Sequence, residues 1–86
     1  MNLALARDVR ATDTEDGMVL LNERDGKYWQ LNRSGAVTLR LLLAGHAPEE
    51  AAARLVPGRP DLSERVHTDV GALVGSLRAA GLVVTS

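Results

Sequence analysis

The apolar positions of this chain change period once, near Leu31. Before it they fall in short alternating runs. From Val9 to Thr14, Val9 and Ala11 alternate with Arg10 and Thr12, the period-two pattern of a half-buried strand. A turn at Asp16-Gly17 follows, then a second run from Met18 to Arg24 and a third from Lys27 to Leu31. Asp25-Gly26 between the last two is a strong hairpin signal, because a two-residue turn needs positive φ at its central positions. The three runs predict an antiparallel meander with its third strand at an edge. A two-residue turn sets Tyr28 opposite Glu23, Trp29 opposite Asn22 and Leu31 opposite Leu20. Trp29, Leu31 and Leu20 then share one face, and Tyr28, Gln30, Val19 and Leu21 the other.

After Leu31 the period becomes helical. Ser34 to Ala44 is apolar at 36, 37, 39, 41, 42 and 43, which predicts a central, buried helix capped by Ser34 and ended by Gly45. Pro48-Glu49-Glu50 opens a second helix to about Leu55, with proline preset for the first turn and two acids at the positive end of the dipole. Past Pro57-Gly58-Arg59-Pro60, the Asp61 to Glu64 spacing suits a capping box. Leu62, Val66, Val70, Leu73 and Leu77 then recur as one stripe up to Gly81, and Leu82-Val83-Val84 is a candidate extended tail. The expected fold is α+β and winged helix-turn-helix-like: a three-stranded antiparallel N-terminal sheet followed by three α-helices.

Composition narrows the classes. With 86 residues, 45% apolar and 24% charged, residues 1–86 are expected to form a single small domain with one modest core. A net charge of −1 gives no basic field for a phosphate backbone. Cysteine is absent, which removes disulfides, thiol catalysis and thiolate metal sites. The N-terminus has no basic region before an apolar run, and Leu41 to Ala44 falls far short of a membrane span. A soluble, cytoplasmic protein is expected.

A helix-turn-helix raises the alternative of a winged-helix DNA-binding transcriptional regulator. The third helix, however, sets Arg65 and Arg78 against Asp61, Glu64 and Asp69, so no cluster on it neutralises phosphates. His46 and His67 are the only histidines; capping or plain solvation accounts for both, and no metal site is expected. No phosphate loop or nucleophile elbow is present, so no catalytic residues are assigned and the chain is not expected to be an enzyme. The remaining candidate is the Tyr28-Trp29 pair. Alternation makes one of the two a core residue, while the other faces away on a strand apolar on both faces. An apolar edge strand beside an amphipathic helix either aggregates or accepts a peptide as an extra strand.

These residues carry a resemblance. The order Asp-Gly, Lys-Tyr-Trp-x-Leu-Asn-x-Ser-Gly, Ala36-Val37-x-Leu39-x-Leu41-Leu42, then Pro-Glu-Glu-Ala-Ala and a long last helix resembles the PqqD-like family over about residues 9 to 84. Its members serve as RiPP recognition elements, the precursor-binding domains of ribosomal peptide natural-product pathways. Among its short stand-alone members, the chain looks most like the B1 proteins of lasso peptide biosynthesis. The resemblance implies that the leader segment of a precursor peptide adds as a strand beside the third strand, its side chains in a groove against the third helix. The strand wall is then Lys27, Tyr28, Trp29, Gln30 and Leu31, and the helix wall Val66, Asp69, Val70, Leu73 and Leu77. It further implies a separate leader peptidase of the transglutaminase-like cysteine protease type and an asparagine-synthetase-like cyclase as partners; from charge and hydropathy no nucleic acid or membrane partner is expected, and no cofactor is assigned. The family is also associated with quinone cofactor synthesis; no residue here points to that pathway rather than a lasso one.

Overall fold

The computed structural model describes residues 2–85. In chain order the elements are β1 (Leu3–Leu5), β2 (Val9–Thr14), β3 (Gly17–Asn22), β4 (Tyr28–Asn32), α1 (Arg33–Leu43), α2 (Pro48–Leu55), α3 (Pro60–Ala79) and β5 (Val83–Thr85). The expected meander is the antiparallel sheet β2-β3-β4, with β4 at its edge. A second, two-stranded sheet joins the chain ends, Leu3 opposite Thr85 and Leu5 opposite Val83. β1 was not predicted from sequence, and the extended tail proves to be its partner.

Both turns of the meander differ from expectation. Thr14 pairs with Gly17, so the first turn is Glu15-Asp16 and Gly17 belongs to β3. Its glycine identity is steric: a Cβ there would stand 2.0 Å from the Leu31 carbonyl oxygen. The second turn is a four-residue loop, Glu23 to Gly26. Asn22 donates its N–H to the Lys27 carbonyl at 2.9 Å, and Gly26 donates to the Asn22 carbonyl at 2.8 Å. Side chains fill the remaining bonds: Asp25 accepts from the Lys27 N–H and Asn22 from the Arg24 N–H, each at 2.9 Å. Gly26 takes φ 74°, whereas Asp25 keeps an ordinary φ, so the two-residue turn that needs both positive does not form. Leu20 therefore faces Trp29, and Met18 faces Leu31. The register is two residues from the expected one, a shift that leaves every side chain on its predicted face.

Helix starts were also displaced. Asn32, not Ser34, caps α1: its side chain accepts from the Gly35 N–H at 2.8 Å. Asp61 does not cap α3, which begins one residue earlier at Pro60; its carboxylate instead meets Arg59 at 3.2 Å. The predicted ends hold. At Gly45 and at Gly81 the chain leaves its helix through paired bonds, His46 N–H to Leu41 O and Leu82 N–H to Leu77 O, the Schellman arrangement.

One core joins the layers. Met18, Leu20 and Leu31 from the sheet meet Ala36, Leu39 and Leu42 of α1, Ala51 of α2, and Val70, Val74 and Leu77 of α3. α1 is buried along one face rather than all round, with Val37 exposed. Val74, absent from the predicted stripe, widens it on the flank opposite Leu73, since successive helical residues turn by about 100°. No helix among the described residues is long and apolar enough to cross a membrane.

Candidate functional site

Among the described residues, β4 has β3 on one side and no strand on the other. Backbone parity determines what that free edge offers. Asn22 and Lys27 are hydrogen-bonded across the hairpin, and pairing alternates from there. Trp29 and Leu31 thus turn their backbone groups to β3, whereas Tyr28 and Gln30 turn theirs outward. α3 packs on α2 and β5, and α1 on β3 and β4; two separate clefts, one near each end of β4, have both β4 and α3 residues in their walls and mark the candidate groove.

The first cleft, about 390 Å³, opens where the end of β4 meets all three helices. Val66, Val70 and Leu73 of α3 and Leu55 and Val56 at the end of α2 give it apolar walls, while Asn32, Thr38 and Asp69 add polar groups. Thr38 is buried but satisfied, its hydroxyl donating to the Ser34 carbonyl at 2.7 Å. Asp69 is exposed on the rim. The second cleft, about 340 Å³, lies between Lys27, Tyr28 and Trp29 on one lip and Ala79, Ala80 and Leu82 on the other. Trp29 lies on the core face of the sheet, opposite fully buried Leu20, yet it remains 37% exposed. Across the cleft stand Ala79 and Ala80, whose side chains are too small to cover an indole, so neither aromatic is the core residue that alternation predicts. Tyr28, on the outer face, is 70% exposed.

The structure thus divides the residues picked from sequence. Val66, Asp69, Val70 and Leu73 gather at one cleft, and Lys27, Tyr28 and Trp29 at the other. Gln30 offers its outward backbone groups on the edge between them. Leu31 at 5% exposure and Leu77 at 0% are core residues, and their side chains line neither cleft. Sequence reasoning missed the contributions of Asn32 and Thr38, of Leu55 and Val56, and of Ala79, Ala80 and Leu82. The stop of α2 before Pro57 and of α3 before Gly81 was the available signal, since a groove between elements is walled where helices end.

The histidines lie apart from the groove's strand wall. His46 Nδ1 is 3.2 Å from Glu50 Oε1, and His67 Nε2 is 3.5 Å from Glu49 Oε1. The hydrogen bond with His46, helped by the Ala47 N–H and by the charges of His46 and Arg54, holds the Glu50 carboxyl below its ordinary pKa. Such a contact stabilises the folded state above the ordinary glutamate range and is lost as pH falls through the depressed pKa. Among the described residues no three His, Cys, Asp or Glu side chains converge as a metal site.

Comparison with known proteins gives this geometry a context. The family model for PqqD, coenzyme PQQ synthesis protein D, matches residues 17–83. A solved lasso peptide synthetase B1 complexed with the leader peptide is 34% identical, with a TM-score of 0.90 over 99% of this chain and 100% of that one. TbiB1 in complex with the TbiA(beta) leader peptide is 23% identical, with a TM-score of 0.81 over 100% and 98% of the two chains; this second likeness speaks for the fold alone. A comparison with curated proteins found no match. Because the family model covers well over half of the chain, on a fold shared end to end with a 34% identical protein, this chain belongs to the PqqD family.

Proposed function

We propose that this protein binds the leader segment of a ribosomally made precursor peptide of the lasso type and has no catalytic step of its own. The leader adds as an antiparallel strand along β4, pairing with the outward backbone groups of Tyr28 and Gln30. Its apolar side chains enter the clefts at Val66, Asp69, Val70 and Leu73 and at Lys27, Tyr28 and Trp29. The bound leader is held for a separate peptidase of the transglutaminase-like cysteine protease type and for an asparagine-synthetase-like cyclase. The observation that carries this reading is the edge of β4 with a cleft near each end, one walled by apolar residues and the other holding Tyr28 and Trp29. A 34% identical structure complexed with a leader peptide supports it.

The energetics suit a useful binder. Backbone bonds along a five-residue strand contribute about 0.5–1.5 kcal/mol net each. Each apolar side chain taken from water adds about 1.5–3 kcal/mol. Ordering the leader costs about 1–2 kcal/mol per residue, so a micromolar to nanomolar Kd is the expected range. The test uses Trp29, the only tryptophan. Titrating a synthetic leader with the Tyr-x-x-Pro-x-Leu pattern, which the family resemblance implies for lasso leaders, should change its emission saturably, and purified protein alone should leave the precursor uncut. No saturable signal by fluorescence or calorimetry with the cognate leader would sink the proposal.

A further inference from the structure

The two lips of the Trp29 cleft come from distant parts of the chain, the β3–β4 hairpin and the end of α3. One short segment is bonded to both. On the α3 side, Leu5 pairs with Val83, and the Ala6 N–H donates to the Leu82 carbonyl at 2.9 Å. Leu82 itself lines the cleft. On the hairpin side, the Asp8 carbonyl accepts from the Glu23 N–H at 2.8 Å, and the Asp8 carboxylate stands 3.8 Å from Arg24. Between these anchors lies only the turn Ala6-Arg7-Asp8, closed by the Val9 N–H donating to the Ala6 carbonyl at 3.1 Å. Asp8 has φ 71°, the one positive φ outside glycine among the described residues. That conformation is poorly accessible to most side chains but tolerated by Asp, Asn and Gly.

We propose that the segment from Leu3 to Asp8 is a strap that sets the separation of the two lips, with Asp8 as its positioning residue. The mechanism is geometric. β1 is anchored in the core through Leu3, 5% exposed, so the Ala6–Leu82 bond is fixed relative to α3. The left-handed turn at Asp8 then directs its own carbonyl at Glu23, and beyond the last β2–β3 pair, Val9 with Asn22, that bond and the Arg10–Glu23 ion pair set where the hairpin loop sits. A side chain that rejects the left-handed turn redirects the carbonyl and releases the hairpin lip, while the core beneath it stays intact. The strap touches no leader. It acts on the leader by keeping Trp29 and Leu82 at a fixed spacing.

The chain has no cysteine, so lip spacing can be read directly with spin labels on the double variant Glu23→Cys and Arg78→Cys. In this background Asp8→Val should broaden the label-to-label distance distribution and shift Trp29 emission to the red, with helical circular dichroism unchanged. Affinity for the synthetic Tyr-x-x-Pro-x-Leu leader, measured without labels, should fall about tenfold. Asp8→Gly and Asp8→Asn keep the turn and should restore all three readouts, which separates backbone conformation from the charge facing Arg24. Should Asp8→Val unfold, Asp8→Ala, with a single methyl to strain the turn, carries the same comparison. A wild-type distance distribution and emission in the folded variant overturns the strap. The affinity arm alone rests on the proposed leader binding: if the wild-type protein binds no leader while the distances still respond to Asp8, that reading falls and the strap stands.

Discussion

Asp69 and Leu73 stand one helical turn apart on α3 and line the same cleft, but they answer to truncation differently. Asp69 is exposed on the cleft rim, so Asp69→Ala should change stability by no more than about 0.5 kcal/mol. If the leader passes its rim, affinity should drop several-fold. Leu73 is half-buried against the core. Leu73→Ala should lose both affinity and stability, the latter at or below the lower end of the roughly 2–5 kcal/mol seen for fully buried leucines. Urea unfolding and calorimetry on the two variants separate the effects; leader binding by Asp69→Ala at full strength would remove this residue from the site. The same scale shows what residue types can hide. Glycine at 17 reads as a turn signal, but its cause is the Leu31 carbonyl on the neighbouring strand, which no local pattern reveals. Asn32 and Ser34 are both good cap residues. Only the end of β4 at Asn32 decides between them.

At the scale of elements, the hairpin separates what periodicity can tell from what loop chemistry controls. Alternation assigned the faces of Val19, Leu20, Tyr28 and Trp29 correctly, because a face depends only on parity. Register depends on loop length, and the side chains of Asn22 and Asp25 lengthened the loop to four residues. A shift of two preserves parity, so the outward direction of the Gln30 backbone survives the correction. Proline has no N–H and is tolerated where that donor faces solvent on an edge strand. Gln30→Pro should therefore keep native circular dichroism and lose most leader affinity. Trp29→Pro removes a donor aimed at Leu20 and should unfold the hairpin. Undiminished binding by folded Gln30→Pro would mean that the leader pairs elsewhere. The helices show a similar division. Their terminations at Gly45 and Gly81 were legible because the Schellman bonds are local, whereas the exposure of Val37 reflects which face of α1 the sheet happens to cover.

For the whole molecule, the β1–β5 pair is the feature furthest from sequence reach. Leu3–Leu5 and Val83–Thr85 are three residues each, too short for a periodic signal, and all the other elements lie between them in the chain. The clefts are of the same kind: they combine β4, the starts and ends of helices, and Leu82 beyond α3, so β4 and the α3 stripe were readable as elements while the residues that close each cleft were not. Binding there has a global consequence. A ligand taken up only by the folded state stabilises it by mass action, by about 2.7 kcal/mol when the free ligand is at 100 times Kd. In a domain of this size each kcal/mol moves Tm by roughly 4–8 °C. Cognate leader at that excess should thus raise Tm by roughly 10–20 °C, independent of protein concentration. A scrambled leader of equal composition should leave Tm unchanged, which separates recognition of the groove from general peptide adhesion. Duplex DNA offered at physiological salt should also leave it unchanged, because the net charge of −1 and the acid-rich α3 give phosphates no counterpart. A Tm that climbs with protein concentration and ignores leader would instead mean that the free edge of β4 pairs with its own copy.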